Sequence, residues 1–182
     1  MAKYDFWFWK NLVNEDEIKQ INHLCEKHKE KETGDKPAPN VVKTASVKNI
    51  QVTYLKDILK TVNYAWMNAN HEHFGYNLFP MLDESLWNIN DYKKDDEYGW
   101  HTDSSTNDAY DIKLTAILNI SDESYEGGNF WVFSDGAFRE VDLMLLPGSS
   151  ILLAPKLVHR VSPVTKGIRK TLSYWFHGQR FI

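Results

Sequence analysis

Apolar residues recur at helical spacing only in the first part of the chain; beyond Gly75 they fall into short runs broken by Asp, Gly, Pro and Ser. Asn14-Glu15-Asp16-Glu17 has the form of a helix start, with Asn14 as N-cap and Glu17 as its reciprocal partner. Ile18, Ile21, Leu24 and Cys25 then share one helical face, and the pattern fades near His28. The charged stretch from Glu30, with Gly34, Pro37 and Pro39, reads as a loop. A second helical stretch is predicted from about Leu55 to His73, its apolar face made of Leu55, Ile58, Leu59, Val62, Ala65 and Trp66. Predicted strands follow at Ser85 to Tyr92, Tyr98 to Thr102, Ile112 to Ile120, Asn129 to Phe133, Phe138 to Val141, Ser150 to Leu153, Val158 to Val164 and Arg169 to His177. The pattern predicts a mainly β (α+β) fold, a double-stranded β-helix or jelly roll with two N-terminal supporting helices. One domain is expected over 1–182, helical over about 1–75 and jelly roll over about 80–180.

Composition narrows the class. The formal charge of −4 gives no electrostatic reason to expect nucleic acid or a membrane surface as a partner. The single cysteine, Cys25, excludes an internal disulfide and a cysteine-built zinc site. On its helical face it reads as a packed thiol rather than a nucleophile. The N-terminal run Phe6-Trp-Phe-Trp9 is too short and too broken for a signal peptide or a membrane span. The expectation is a soluble cytoplasmic protein. The aromatic share of 14% is high enough to line a groove as well as a core.

The chemistry concentrates in Trp100-His101-Thr102-Asp103. Alternate side chains of a strand share a face, so His101 and Asp103 project together. Two ligands do not complete a metal site, and His159, at the start of a later predicted strand, is the best third. Two histidines and one carboxylate leave open positions on a metal, the pattern of non-heme iron(II) oxygenases. A lone His-x-Asp is a weak signal; the ordered set of His101, Asp103, His159 and then Arg169 is far stronger. Arg169 offers a permanently charged planar fork for a buried carboxylate, and Thr171 shares its face. Arg160 and Lys170 are the local competitors, each expected on the opposite face. His23, His28, His71 and His73 fall on polar helix faces, and His177 reads as structural.

The segment from Gly148 through His159-Arg-Val-Ser-Pro-Val-Thr-Lys-Gly-Ile-Arg169 to Trp175 resembles the C-terminal signature of prolyl 4-hydroxylase-type iron/2-oxoglutarate oxygenases, and most nearly the PKHD-type hydroxylases. Tyr125-Glu-Gly127-Gly128 is similar to the family's Gly-Gly turn. Tyr92 matches a tyrosine lining the cosubstrate pocket. Two departures stand out: Ser149 replaces an acidic residue, and Ile117 stands where some prolyl hydroxylases carry a carboxylate-binding tyrosine.

The resemblance implies iron(II) on His101, Asp103 and His159, and 2-oxoglutarate on Arg169, Thr171 and Tyr92. It implies dioxygen as second cosubstrate and ascorbate as reductant. The implied reaction hydroxylates an unactivated C–H bond, first of all in a prolyl residue of a peptide or protein, with release of succinate and carbon dioxide. Trp100, Trp131 and Trp175 are candidate pocket walls. The loops 30–40 and 104–111 are candidate lids. A small-metabolite hydroxylase on the same fold and a non-catalytic jelly-roll binding module are the alternatives. A nucleic-acid demethylase would want a further arginine where Trp175 stands, and a zinc hydrolase has no need of Arg169.

Overall fold

The computed structural model describes residues 4–30, 40–103 and 110–180. Helix α1 (Glu15–His28) begins as its sequence predicts. The Asn14 side chain accepts from the Glu17 N–H at 3.0 Å, and Glu17 accepts from the Asn14 N–H at 2.8 Å. Glu15, Asp16 and Glu17 add negative charge where the helix dipole favours it. Ile18, Ile21 and Cys25 are the buried stripe.

The second helical stretch differs from expectation. A 3-10 turn (Val52–Tyr54) and turns over 55–59 precede α2 (Lys60–Ala69), which runs into a π turn (Asn70–Phe74) closed by Gly75 at φ +71°. Leu55 and Leu59 are fully buried although not helical. Their spacing recorded burial, and burial does not require a helical backbone.

Twelve strands follow one another along the described residues. They are β1 (Phe6–Trp9), β2 (Ser46–Gln51), β3 (Leu86–Tyr92), β4 (Tyr98–His101), β5 (Asp111–Asn119) and β6 (Glu126–Gly127). Then come β7 (Phe130–Ser134), β8 (Ala137–Glu140), β9 (Ser150–Leu153), β10 (Val158–Val161), β11 (Val164–Lys166) and β12 (Arg169–Gly178). The major sheet has the order β1-β9-β5-β12-β3-β2 and the minor sheet β4-β10-β7-β8; β11 pairs with β6. Every pairing between these strands is antiparallel. Two facing antiparallel sheets with helices behind the larger one make a jelly roll.

Sequence pattern missed both edges of the major sheet. Phe6–Trp9 does not alternate, and in β2 only Val47 and Ile50 are buried, which is not a period of two. The segment before Gly75 therefore supplies two edge strands as well as two helices. The single strand expected over Val158 to Val164 is two strands, interrupted at Ser162-Pro163, where proline brings no N–H to the ladder.

The parity of β12 separates two cores. Leu172, Tyr174 and Phe176 face the helices, where Trp66 and Trp87 also pack. The Trp66 indole N–H donates to the Ser150 hydroxyl at 3.0 Å, tying α2 to the back of the major sheet. Arg169, Thr171, Ser173 and Trp175 have the opposite parity and line a cavity between the sheets. Ile117, Phe130, Val132, Ile151 and Val161 belong to the core around it.

Candidate active site

His101 ends β4 and His159 lies on β10, and the two are register partners across the minor sheet. Their ring centroids are 4.1 Å apart. Asp103 follows two residues after His101, and its Oδ1 and Oδ2 lie 3.6 Å from His101 Nε2 and His159 Nε2 respectively. Potential ligand atoms of the three residues all lie within 4.8 Å of one another. Two ligands each about 2.0–2.2 Å from one ion sit about 3–4 Å apart, so the trio has the dimensions of a metal site.

Both imidazoles are held in one tautomer. His101 Nδ1 lies 2.8 Å from the Gly99 carbonyl and His159 Nδ1 lies 3.0 Å from the Leu157 carbonyl. A carbonyl only accepts, so each Nδ1 donates and each Nε2 presents its lone pair toward Asp103. Burial, and then the neighbouring His159, push the His101 pKa down to about 4 against the opposing pull of Asp103. The neutral ring that a metal requires is therefore the favoured form at neutral pH. Tyr98 stacks on His101 with centroids 3.5 Å apart, and Phe130 lies against His159 at 5.6 Å.

Arg169 starts β12 in the same cavity, with Tyr92 as its register partner on β3. It is 0% exposed, and among the described residues its Nε and both terminal nitrogens have no hydrogen-bond partner. Its guanidinium carbon lies 5.4 Å from the Tyr92 ring centroid. Space for that side chain depends on Gly128 at φ +65°, where a Cβ would come within 2.8 Å of Arg169 Cδ. A buried cation without a hydrogen-bond acceptor is expensive. A cavity holding one, beside a His-Asp-His set, fits an anion that also reaches the metal position.

Thr171, Tyr92 and Trp175 line this cavity together with Ile117. Trp100 and Trp131 do not: they flank Arg160 on the outer face of the minor sheet, 4.9 and 5.6 Å from its guanidinium carbon. The cause is strand parity, because Trp100 adjoins His101 and Arg160 adjoins His159. Lys170 also points away and donates to Asp122 at 2.9 Å. His177 packs against Tyr110. Of the two expected lids, residues 31–39 and 104–109 lie outside the described residues; Asp111 is the buried first residue of β5.

Sequence reading passed over Asn90, Thr115 and Ser173, polar residues that line the cavity. Asn90 is two residues from Tyr92, and Ser173 two from Thr171, so the parity that selected Thr171 also reaches them.

Residues 87–177 match the 2OG-Fe(II) oxygenase superfamily, and the chain belongs to that family. Among its relatives are PKHD-type hydroxylases. One from Aliarcobacter butzleri is 31% identical over 130 residues, 67% of this chain and 54% of that protein. The PKHD-type hydroxylase YbiX of Escherichia coli is 30% identical over 141 residues, 72% of this chain and 61% of that protein. The chain thus spans about half the length of the curated relatives it matches. A Pseudomonas putida prolyl-4-hydroxylase shares the fold at TM-score 0.72 and 16% identity, covering 98% of this chain and 94% of its own. The viral collagen prolyl hydroxylase of Paramecium bursaria Chlorella virus-1 does so at 0.68 and 14%, covering 96% and 97%. No helix among the described residues is long and apolar enough to cross a membrane.

Proposed function

We propose that the chain is an iron(II)- and 2-oxoglutarate-dependent hydroxylase acting on an unactivated C–H bond, its substrate a prolyl residue in a peptide or protein. In this reading His101, Asp103 and His159 hold the iron. Arg169 pairs with the distal carboxylate of 2-oxoglutarate, helped by Thr171 and Tyr92. The observation that carries it is the fully buried guanidinium of Arg169, without a hydrogen-bond partner among the described residues, in one cavity with the His-Asp-His set. A metal site alone would need no such cation.

Iron(II) and 2-oxoglutarate, when bound, supply the oxidising chemistry that consumes dioxygen, hydroxylates the substrate and releases succinate and carbon dioxide. The protein's part is orientation and exclusion of water. Gly99 and Leu157 carbonyls hold both histidines with Nε2 inward. Tyr98 and Phe130 wall the imidazoles in apolar surface. Arg169 fixes the far end of the cosubstrate, and its planar fork favours a carboxylate over a neutral group. Ile117 offers no hydroxyl there, which leaves Arg169, Thr171 and Tyr92 as the carboxylate's partners. The prolyl assignment draws on relatives named PKHD-type hydroxylases and neighbours named prolyl hydroxylases.

The test is mass spectrometry of proline-containing peptides, free proline and small acids incubated with protein, iron(II), 2-oxoglutarate, ascorbate and air. One oxygen atom added to a prolyl peptide, matched by succinate, is the expected result. Oxygen added only to small molecules would replace the substrate class. Succinate-free reactions throughout would overturn the enzyme reading.

A further inference from the structure

We propose that Asn90 is a positioning residue that makes the cavity wall beside Arg169 a set of hydrogen-bond donors; this rests on the reading of that cavity as the 2-oxoglutarate site. Asn90 lies on β3, opposite Thr171 of β12, and is 4% exposed. Its Nδ2 donates to the Ser173 hydroxyl at 3.1 Å and to the Thr171 hydroxyl at 3.3 Å. The Asn88 carbonyl lies 3.5 Å from the same nitrogen, at the limit of a hydrogen bond; because it can only accept, the amide turns its NH2 rather than its oxygen toward it, and the two N–H protons go to the nearer hydroxyls.

A hydroxyl has one proton to give and two lone pairs to accept with. Because Asn90 supplies protons to both oxygens, neither Thr171 nor Ser173 gives its proton to Asn90. Among the described residues neither hydroxyl donates to a protein acceptor, and both line the cavity. Both protons are therefore available to a ligand there. Thr171 is the neighbour of Arg169 on the inward face of β12, so its proton serves the anion that Arg169 attracts. Arg169, Thr171 and Ser173 together present donors to one side of the cavity, while Asp103, the one carboxylate lining it among the described residues, lies with the histidines. That polarity suits a dicarboxylate with one end at the metal position and the other on β12. A hydrogen bond to a charged acceptor is worth about ten- to a hundredfold in affinity. Loss of its orientation forfeits part of that.

Calorimetric titration of anaerobic iron(II)-loaded protein with 2-oxoglutarate, and with 2-oxopentanoate as the analogue lacking the distal carboxylate, tests the idea. Asn90→Ala is expected to weaken 2-oxoglutarate binding about fivefold and leave 2-oxopentanoate unchanged. Asn90→Asp, whose carboxylate would draw both hydroxyl protons to itself, is expected to weaken it about fiftyfold. In a Thr171→Val/Ser173→Ala background, Asn90→Ala should change the Kd less than twofold, because Asn90 acts through those hydroxyls. Thermal melting of each variant tracks folding separately. The same fivefold loss in both backgrounds, equal losses for both ligands, or no loss in Asn90→Ala would each overturn the role of Asn90. Failure of the wild type to bind 2-oxoglutarate would instead overturn the cosubstrate reading on which it rests.

Discussion

Arg169 carries a positive charge at a point where no described residue offers it a hydrogen bond. Such a group destabilises the ligand-free fold, because desolvation is not offset by a partner. Arg169→Met should therefore raise the melting temperature of the ligand-free protein. A gain of roughly 1–3 kcal/mol corresponds to a few degrees in a chain of this size. With metal already bound, adding 2-oxoglutarate should raise the melting temperature of wild type and not of this variant. A destabilised Arg169→Met protein would mean that the guanidinium already has a partner. Gly128→Ala tests the same spot from the backbone side. Its positive φ disfavours any Cβ by about 1–2 kcal/mol, and the methyl would sit 2.8 Å from Arg169 Cδ. Binding of 2-oxoglutarate should fall at least tenfold, an effect that backbone strain, present with and without the ligand, does not produce.

At the scale of elements, the capping box of α1 and the indole anchor of α2 attach the helices to the major sheet. Asn14→Ala should cost about 1 kcal/mol of stability, measured by denaturant melting. Trp66→Ala should cost about 3–5 kcal/mol, since Trp66 is fully buried between Trp87 and Phe176 and donates to Ser150. The box was legible from Asn14 and Glu17 because capping is local chemistry. Strands β3, β5, β9 and β12 were legible because long or strongly apolar runs mark the centre of a sheet. The edges β1 and β2 were not, because an edge strand is stabilised by the neighbour it pairs with. Ser46–Gln51 owes its conformation to the ladder with β3, about which its own residues say little.

For the whole molecule, site geometry divides the same way. His101, Asp103, His159, Arg169, Thr171, Tyr92 and Trp175 line one cavity; residue type and strand parity pointed to His101, Asp103, Thr171 and Trp175, order along the chain to His159 and Arg169, and the family resemblance to Tyr92. Trp100 and Trp131 were misjudged because aromatic size suggested a wall while their parity opposed it. Asn90 was missed because an asparagine carries no chemical flag until its cross-strand partners are known. Packing of the molecule also governs Cys25. Burial, chiefly, pushes its thiol up from 9.0 to about 12. The unfolded chain then loses this proton first, so the stabilisation is complete below pH 9 and declines as pH rises from 9 toward 12. The slope is at most about 1.4 kcal/mol per pH unit. Denaturant melts across that range should fall less steeply for Cys25→Ala than for wild type. Iodoacetamide at pH 8 should alkylate the folded protein far more slowly than the unfolded chain.

In the proposed site, one cavity holds a metal on His101, Asp103 and His159 and a 2-oxoglutarate carboxylate on Arg169. Anaerobic equilibrium dialysis of labelled 2-oxoglutarate, with and without iron(II), tests it most directly. Wild type should bind one equivalent only when the metal is present, with His159→Ala and Arg169→Met each losing most of that binding. Binding that ignores the metal, or that survives intact in Arg169→Met, would contradict it.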